Sequence, residues 1–162
     1  MSLSDRRTLL LAVAALPLAA ACGFSPAYGP SGAGQALRGQ VRATDPTHPR
    51  EFDFVVALEE RIGRSTAPRF NLTYTITTSE RGAARVAGLG ETRITLFGTL
   101  SYQLTDNTTD ALVTQGRLRN FTNYSTTDTQ LATRRAQEDA EARLMRILAD
   151  QVVARLIAAL TE

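Results

Sequence analysis

The chain has no tryptophan and no lysine, and it has one cysteine and one histidine. A single cysteine excludes a disulfide within the chain. A single histidine, His48, sits in the turn-like stretch TDPTHP at 44–49 and reads as a solvated loop residue. It leaves nothing from which to build a histidine metal cluster or a Ser-His-Asp arrangement. There is no Gly-x-Ser-x-Gly. The stretch GLGETR at 88–93 precedes a strand and lacks the lysine of a phosphate loop, so it reads as a turn. Glu59 and Glu60 read as the solvated side of a helix. The expected class is therefore not an enzyme, with no metal and no catalytic residue. Every basic residue is arginine, and residues 22–162 keep 16 of the 18 basic and 15 of the 16 acidic residues. A net charge near +1 gives little drive towards polyanions, so nucleic acid is not an expected partner.

Long apolar runs are missing too. The longest apolar run, residues 9–21, is 13 residues, is interrupted by Pro17 and follows Arg6 and Arg7. A membrane-spanning helix needs about 20 apolar residues, whereas a signal-peptide apolar region has this length. Ala19, Ala20 and Ala21 suit a signal peptidase, so residues 1–21 are expected to be a lipoprotein signal peptide. Cleavage there leaves Cys22 first. The spacing resembles the lipobox of bacterial lipoproteins, with Ala19 where leucine is usual, and it predicts N-acyl and S-diacylglycerol lipid on Cys22. The competing readings are a buried free thiol, or cleavage within the alanines that leaves Cys22 a spectator. Acyl chains contribute about 0.8 kcal/mol per buried methylene, so several chains make a permanent anchor. Gly23 rather than Asp follows the cysteine, which leans towards the outer membrane. Arg6-Arg7 fits both a twin-arginine signal and an ordinary basic start.

What remains is one domain's worth of sequence. Residues 22–36 are punctuated by Gly23, Pro26, Gly29, Pro30, Gly32 and Gly34 and read as a lipidated flexible tether, with Phe24 and Tyr28 as candidate contacts. Residues 37–162 form the predicted domain. A short strand is expected at 37–43. A helix opens at Pro49 or Arg50, with Glu51 and Asp53 in its first turn, and Gly63 ends it. Phe70, Leu72, Tyr74 and Ile76 alternate with Asn71, Thr73, Thr75 and Thr77, a strand with one buried face. Residues 93–104 alternate again, TDNTTD at 105–110 turns, and 111–124 return. Leu112, Leu118 and Tyr124 are expected on one face of the return strand, Val113 and Phe121 on the other. A helix of about 30 residues follows from an Asp128 cap, with Leu131, Ala136, Ala140, Leu144, Leu148, Val152, Leu156 and Leu160 in its apolar stripe. The predicted fold is α+β, a two-layer sandwich: a four-stranded, mostly antiparallel sheet with two helices on one face, in the order β-α-β-β-β-α.

Two features invite binding. Arg81, Arg85 and Arg93 stand among small residues in the loop expected between the second and third strands, and arginine presents a planar fork to phosphate. A solvated hairpin tip is the plainer reading. The second feature is a hydroxyl-rich sheet face with Thr73, Thr75, Thr95, Thr99, Ser101, Thr114, Asn120 and Thr122. Threonine is also an ordinary surface residue of strands.

CGFSPAYG at 22–29, FDFVVALEERIG, FNLTYTITTS, TLFGTLSYQLTD, ALVTQGRLRNFTNYS and the closing helix resemble the lipopolysaccharide-assembly lipoproteins of the LptE family, particularly those of α-proteobacteria. The resemblance implies a non-enzymatic outer-membrane lipoprotein without a cofactor. It implies that the protein plugs and supports the lipopolysaccharide-assembly β-barrel, LptD, and assists insertion of lipopolysaccharide into the outer leaflet. Arg81, Arg85 and Arg93 are then the expected lipopolysaccharide contacts. Two other roles stay open on the sequence: an auxiliary lipoprotein of a periplasmic lipid ABC-transport system, and an envelope-tethering structural lipoprotein.

Overall fold

Two runs of period-two alternation, separated from two helical segments, dictate a sheet with one apolar face and a helical layer to cover it. The computed structural model describes residues 29, 32–86, 90–126 and 129–160. The order is α1 (Ala33–Leu37), β1 (Val41–Ala43), α2 (Pro49–Ile62), β2 (Phe70–Val86), β3 (Gly90–Asp106), β4 (Leu112–Ser125) and α3 (Gln130–Ala159). The strands form one sheet in sequence order. β1 runs parallel to β2, with α2 as the crossover, and β2–β3–β4 is an antiparallel meander.

Several boundaries differ from expectation. α1 takes up the end of the glycine-rich stretch read as tether and the first residue of the expected strand. Leu37 is fully buried, and Gly39, at φ 66°, lets the chain turn and donate its N–H to Ile62 O. The first strand therefore starts at Val41, and the helices number three among the described residues. SERGAARV, read as loop, continues β2, because every residue but Ala83 finds a partner in the returning β3, with register shifts around Ala84. α3 starts at Gln130 with Thr129 as its cap, its hydroxyl accepting from Ala132 N–H. The proposed cap Asp128 lies outside the described residues. α2 starts as expected at Pro49. The Glu51 carboxylate accepts from the backbone N–H of Thr47 at 2.7 Å and of His48 at 3.2 Å, which holds its pKa down. Gly63, at φ 78°, ends the helix.

The core lies between the helices and one sheet face. Leu72, Leu96, Leu100 and Leu104 from the strands meet Phe54, Leu58 and Ile62 of α2 and Leu144, Leu148, Val152 and Leu156 of α3. At Gly98 the packing is closest: a Cβ there would sit 2.9 Å from Leu144 Cδ2 and 3.2 Å from Leu148 Cδ1. Burial along α3 begins only at Ala140. Leu131, assigned to the stripe, is 70% exposed, because the first turns of α3 run past the core along the hairpin, where Gln137 bonds Glu80.

Candidate functional site

Among the described residues, the second sheet face carries no helix. Strand pairing arranges its side chains in rows: Thr73–Gln103–Gln115, Thr75–Ser101–Arg117, Thr77–Thr99–Arg119, Ser79–Phe97–Phe121 and Arg81–Thr95–Asn123. Arg93, one step further along β3 and opposite Ser125, completes the face. Among the described side chains of these rows there is no carboxylate. Four exposed arginines therefore lie on one uncovered surface with hydroxyls and amides between them.

Local contacts hold this surface in shape. Arg117 Nε donates to Ser101 Oγ at 3.3 Å, and Thr95 Oγ1 donates to Asn123 Oδ1 at 2.7 Å. Gln103 Nε2 donates to Gln115 Oε1 at 3.3 Å. Phe97 and Phe121 meet at 6.0 Å between ring centroids, and the Arg119 guanidinium lies 5.3 Å over the Phe97 ring. Phe121 is 54% exposed. Each arginine keeps free N–H groups, so the face suits an anionic, hydroxyl-bearing partner with a small apolar contact at its centre.

Of the residues picked from the sequence, Arg81 and Arg93 are both exposed and share this face as diagonal neighbours across the β2–β3 pair. Arg85 is opposite Glu91 in register, past irregularities at Gly82/Ala84 and Ala84/Arg85; its side chain lies outside the described ones. All three arginines sit on the strands of a long hairpin rather than in a loop. Cys22, Phe24 and Tyr28 lie outside the described residues. Sequence reasoning missed Arg117, Arg119 and the Phe97–Phe121 pair, although alternation at 117, 119 and 121 carried the signal.

The hydroxyl-rich face also needs correction. Thr73, Thr75, Thr95, Thr99 and Ser101 are on the open face, but Thr114, Asn120 and Thr122 point to the helix side. Thr122 is buried and donates to Ala140 O at 3.0 Å. The return strand was split correctly at Leu118, Tyr124 and Phe121. A register shift between Leu104 and Thr105 then moves Leu112 opposite Thr105, onto the open side, where it is exposed, and lets Val113 pack on the core.

Four titratable groups are displaced, Glu51 and Asp106 downwards and Tyr74 and Tyr124 upwards, and none lies on the open face. Burial pushes the Tyr74 hydroxyl up to about 12, with the Glu51 and Asp45 charges adding to it. Asp106 is held down to about 2 by the Thr108 hydroxyl and backbone N–H, then by Arg69, whose Nε donates at 3.0 Å. Neither arrangement pairs a nucleophile with a base. No cluster of metal ligands occurs among the described residues, nor does any helix there have the length and apolarity to cross a membrane.

A family model described as LptE, lipopolysaccharide-assembly, matches residues 27–156. No curated protein sequence matches the chain. Among solved structures, a protein described as a lipoprotein from Caulobacter crescentus is similar with a TM-score of 0.65 at 18% identity, covering 79% of this chain and 96% of that one. Rare lipoprotein B from Shewanella oneidensis is similar with a TM-score of 0.56 at 11% identity, covering 74% and 92%. A minor lipoprotein from Acinetobacter baumannii gives 0.51 at 16% identity, covering 74% and 89%. At these identities the structures speak for the fold alone.

Proposed function

Because this chain belongs to the LptE family of lipopolysaccharide-assembly proteins, we propose that it is an outer-membrane lipoprotein that plugs the lipopolysaccharide-assembly barrel, LptD. In this reading residues 1–21 are removed, Cys22 carries the lipid, and 22–36 join it to the domain on the periplasmic side. The protein performs no catalysis and needs no cofactor. It supports the barrel and helps lipopolysaccharide reach the outer leaflet.

The observation that carries the reading is the uncovered, arginine-bearing sheet face with Arg81, Arg93, Arg117 and Arg119 and no described carboxylate. Barrel interiors are polar and water-filled, so this face can enter one without losing hydration. The phosphates of lipopolysaccharide match the arginine forks. Arg81 and Arg93, sharing one face near the hairpin end, are the first candidates for that contact, with Arg85 beside them in sequence.

The test is direct. Arg81→Glu with Arg93→Glu should weaken binding of purified lipopolysaccharide by about tenfold or more at low salt, with the loss shrinking as salt rises. Binding that stays at the level of the unaltered chain removes these residues from the proposal.

A further inference from the structure

β4 is the outer strand of the sheet, paired with β3 on one side only. Along such a strand the backbone N–H and C=O of alternate residues point at the neighbour or away from the sheet. Two bonds identify the outward set. Phe121 N–H donates to the Asn120 side-chain oxygen at 2.8 Å, and Asn123 C=O accepts from Arg143 Nη2 at 3.1 Å. Both residues thus direct their backbone groups outward, and the chain's own side chains close that half of the edge.

The register with β3 is unbroken from Thr114 to Ser125. The same parity therefore turns the N–H and C=O of Gln115, Arg117 and Arg119 outward. Among the described residues none of these groups is hydrogen-bonded away from β3. The lower half of the edge is open while the upper half is capped. An open edge of this kind is a template for another strand.

What lies beside it has the shape for one. A groove runs between this half of β4 and the last turns of α3, lined by Gly116, Leu118, Arg155, Ala158 and Ala159. Gly116 has no side chain, and a Cβ there would press on the Tyr102 ring at 3.0 Å. The Tyr102 ring thus fills the space over Gly116, while the small residues Ala158 and Ala159 keep the groove open on the α3 side. The charged groups are Arg117 and Arg119 towards the open face and Arg155 in the groove, and no carboxylate lines it. Two copies pairing edge to edge would set arginine against arginine, which disfavours self-association.

We propose that the Gln115–Arg119 half of β4 is a strand-addition site that takes an extended, acidic segment of a partner protein as a fifth strand. Main-chain hydrogen bonds supply the affinity, and carboxylates at alternate positions of the incoming strand select it by meeting Arg117 and Arg119. This inference stands independently of which envelope assembly the chain joins.

The experiment is amide hydrogen exchange by NMR on the full-length labelled chain in detergent, with a synthetic capped peptide, Thr-Glu-Val-Glu-Val-Glu-Thr, as probe. The N–H groups of Gln115, Arg117 and Arg119 should exchange rapidly without peptide and slow by about tenfold with it at millimolar concentration. Arg117→Pro removes an outward N–H and spares the β3 ladder, so it should abolish this protection without unfolding the sheet. Arg117→Glu with Arg119→Glu keeps the backbone and should transfer preference to the same peptide carrying lysines. No protection of the three amides, protection elsewhere, indifference to the charge exchange, or dimerisation of the chain through this edge would each overturn the proposal.

Discussion

Tyr74 shows how one side chain sets a stability limit. Its ring packs 4.8 Å from that of Phe54, and its hydroxyl is buried without a hydrogen-bond partner among the described residues. Ionisation is opposed by burial first and by Glu51 and Asp45 next, so the folded pKa, about 12, exceeds the ordinary 10. A raised folded pKa means that the stabilisation is complete below the unfolded pKa and is lost as pH rises through the folded one. Thermal unfolding should therefore show stability falling from pH 10 towards 12, and Tyr74→Phe should reduce that alkaline loss, leaving the part that Tyr124, also raised by burial, contributes. At pH 7 the same substitution should raise stability by about 1 kcal/mol, since it removes a buried hydroxyl that makes no hydrogen bond among the described residues. Asp106 sets the acid limit. Its depressed pKa gives stability that is present above the ordinary 3.8 and is lost as pH falls towards about 2. Asp106→Asn should flatten the acid limb of the unfolding profile. It should also loosen the β3–β4 turn, where Thr108 N–H and Arg69 both bond the carboxylate.

At the scale of elements, β3 and α3 depend on each other through Gly98. A side chain at that position meets two leucines of α3 that are themselves fully buried. Gly98→Val should cost about 1–3 kcal/mol by overpacking, read as a lower midpoint in urea. The alternations at 70–77 and 94–104 were legible because one face of each strand is uniformly apolar. The pairing of SERGAARV was not, since its small and charged residues have no apolar period; long-range pairing with β3 decides it. α1 escaped notice because a five-residue helix between glycines has no propensity signal, and its stability comes from burying Leu37. The sides of β4 were misread at Leu112 and Val113 because a register shift leaves no mark in the hydropathy. The arginine surface was half visible: Arg81 and Arg93 stood out in a polar stretch, while Arg117 and Arg119 become meaningful only when β4 lies beside Thr99 and Ser101.

At the scale of the whole molecule, one layer of helices buries one sheet face and, among the described residues, leaves the other bare. That asymmetry is what the proposed role requires. A face of threonine, serine, asparagine and arginine can face water and still offers charged forks to a larger partner. The account's central claim is that this partner is the lipopolysaccharide-assembly barrel of the outer membrane. Affinity purification of the full-length chain through a C-terminal tag, from detergent-extracted envelopes, with mass spectrometry of the intact complex, tests it most directly. The account predicts a complex of one chain with one outer-membrane barrel. Recovery of an ABC transporter in place of the barrel, or of the chain with no membrane protein attached, would contradict it.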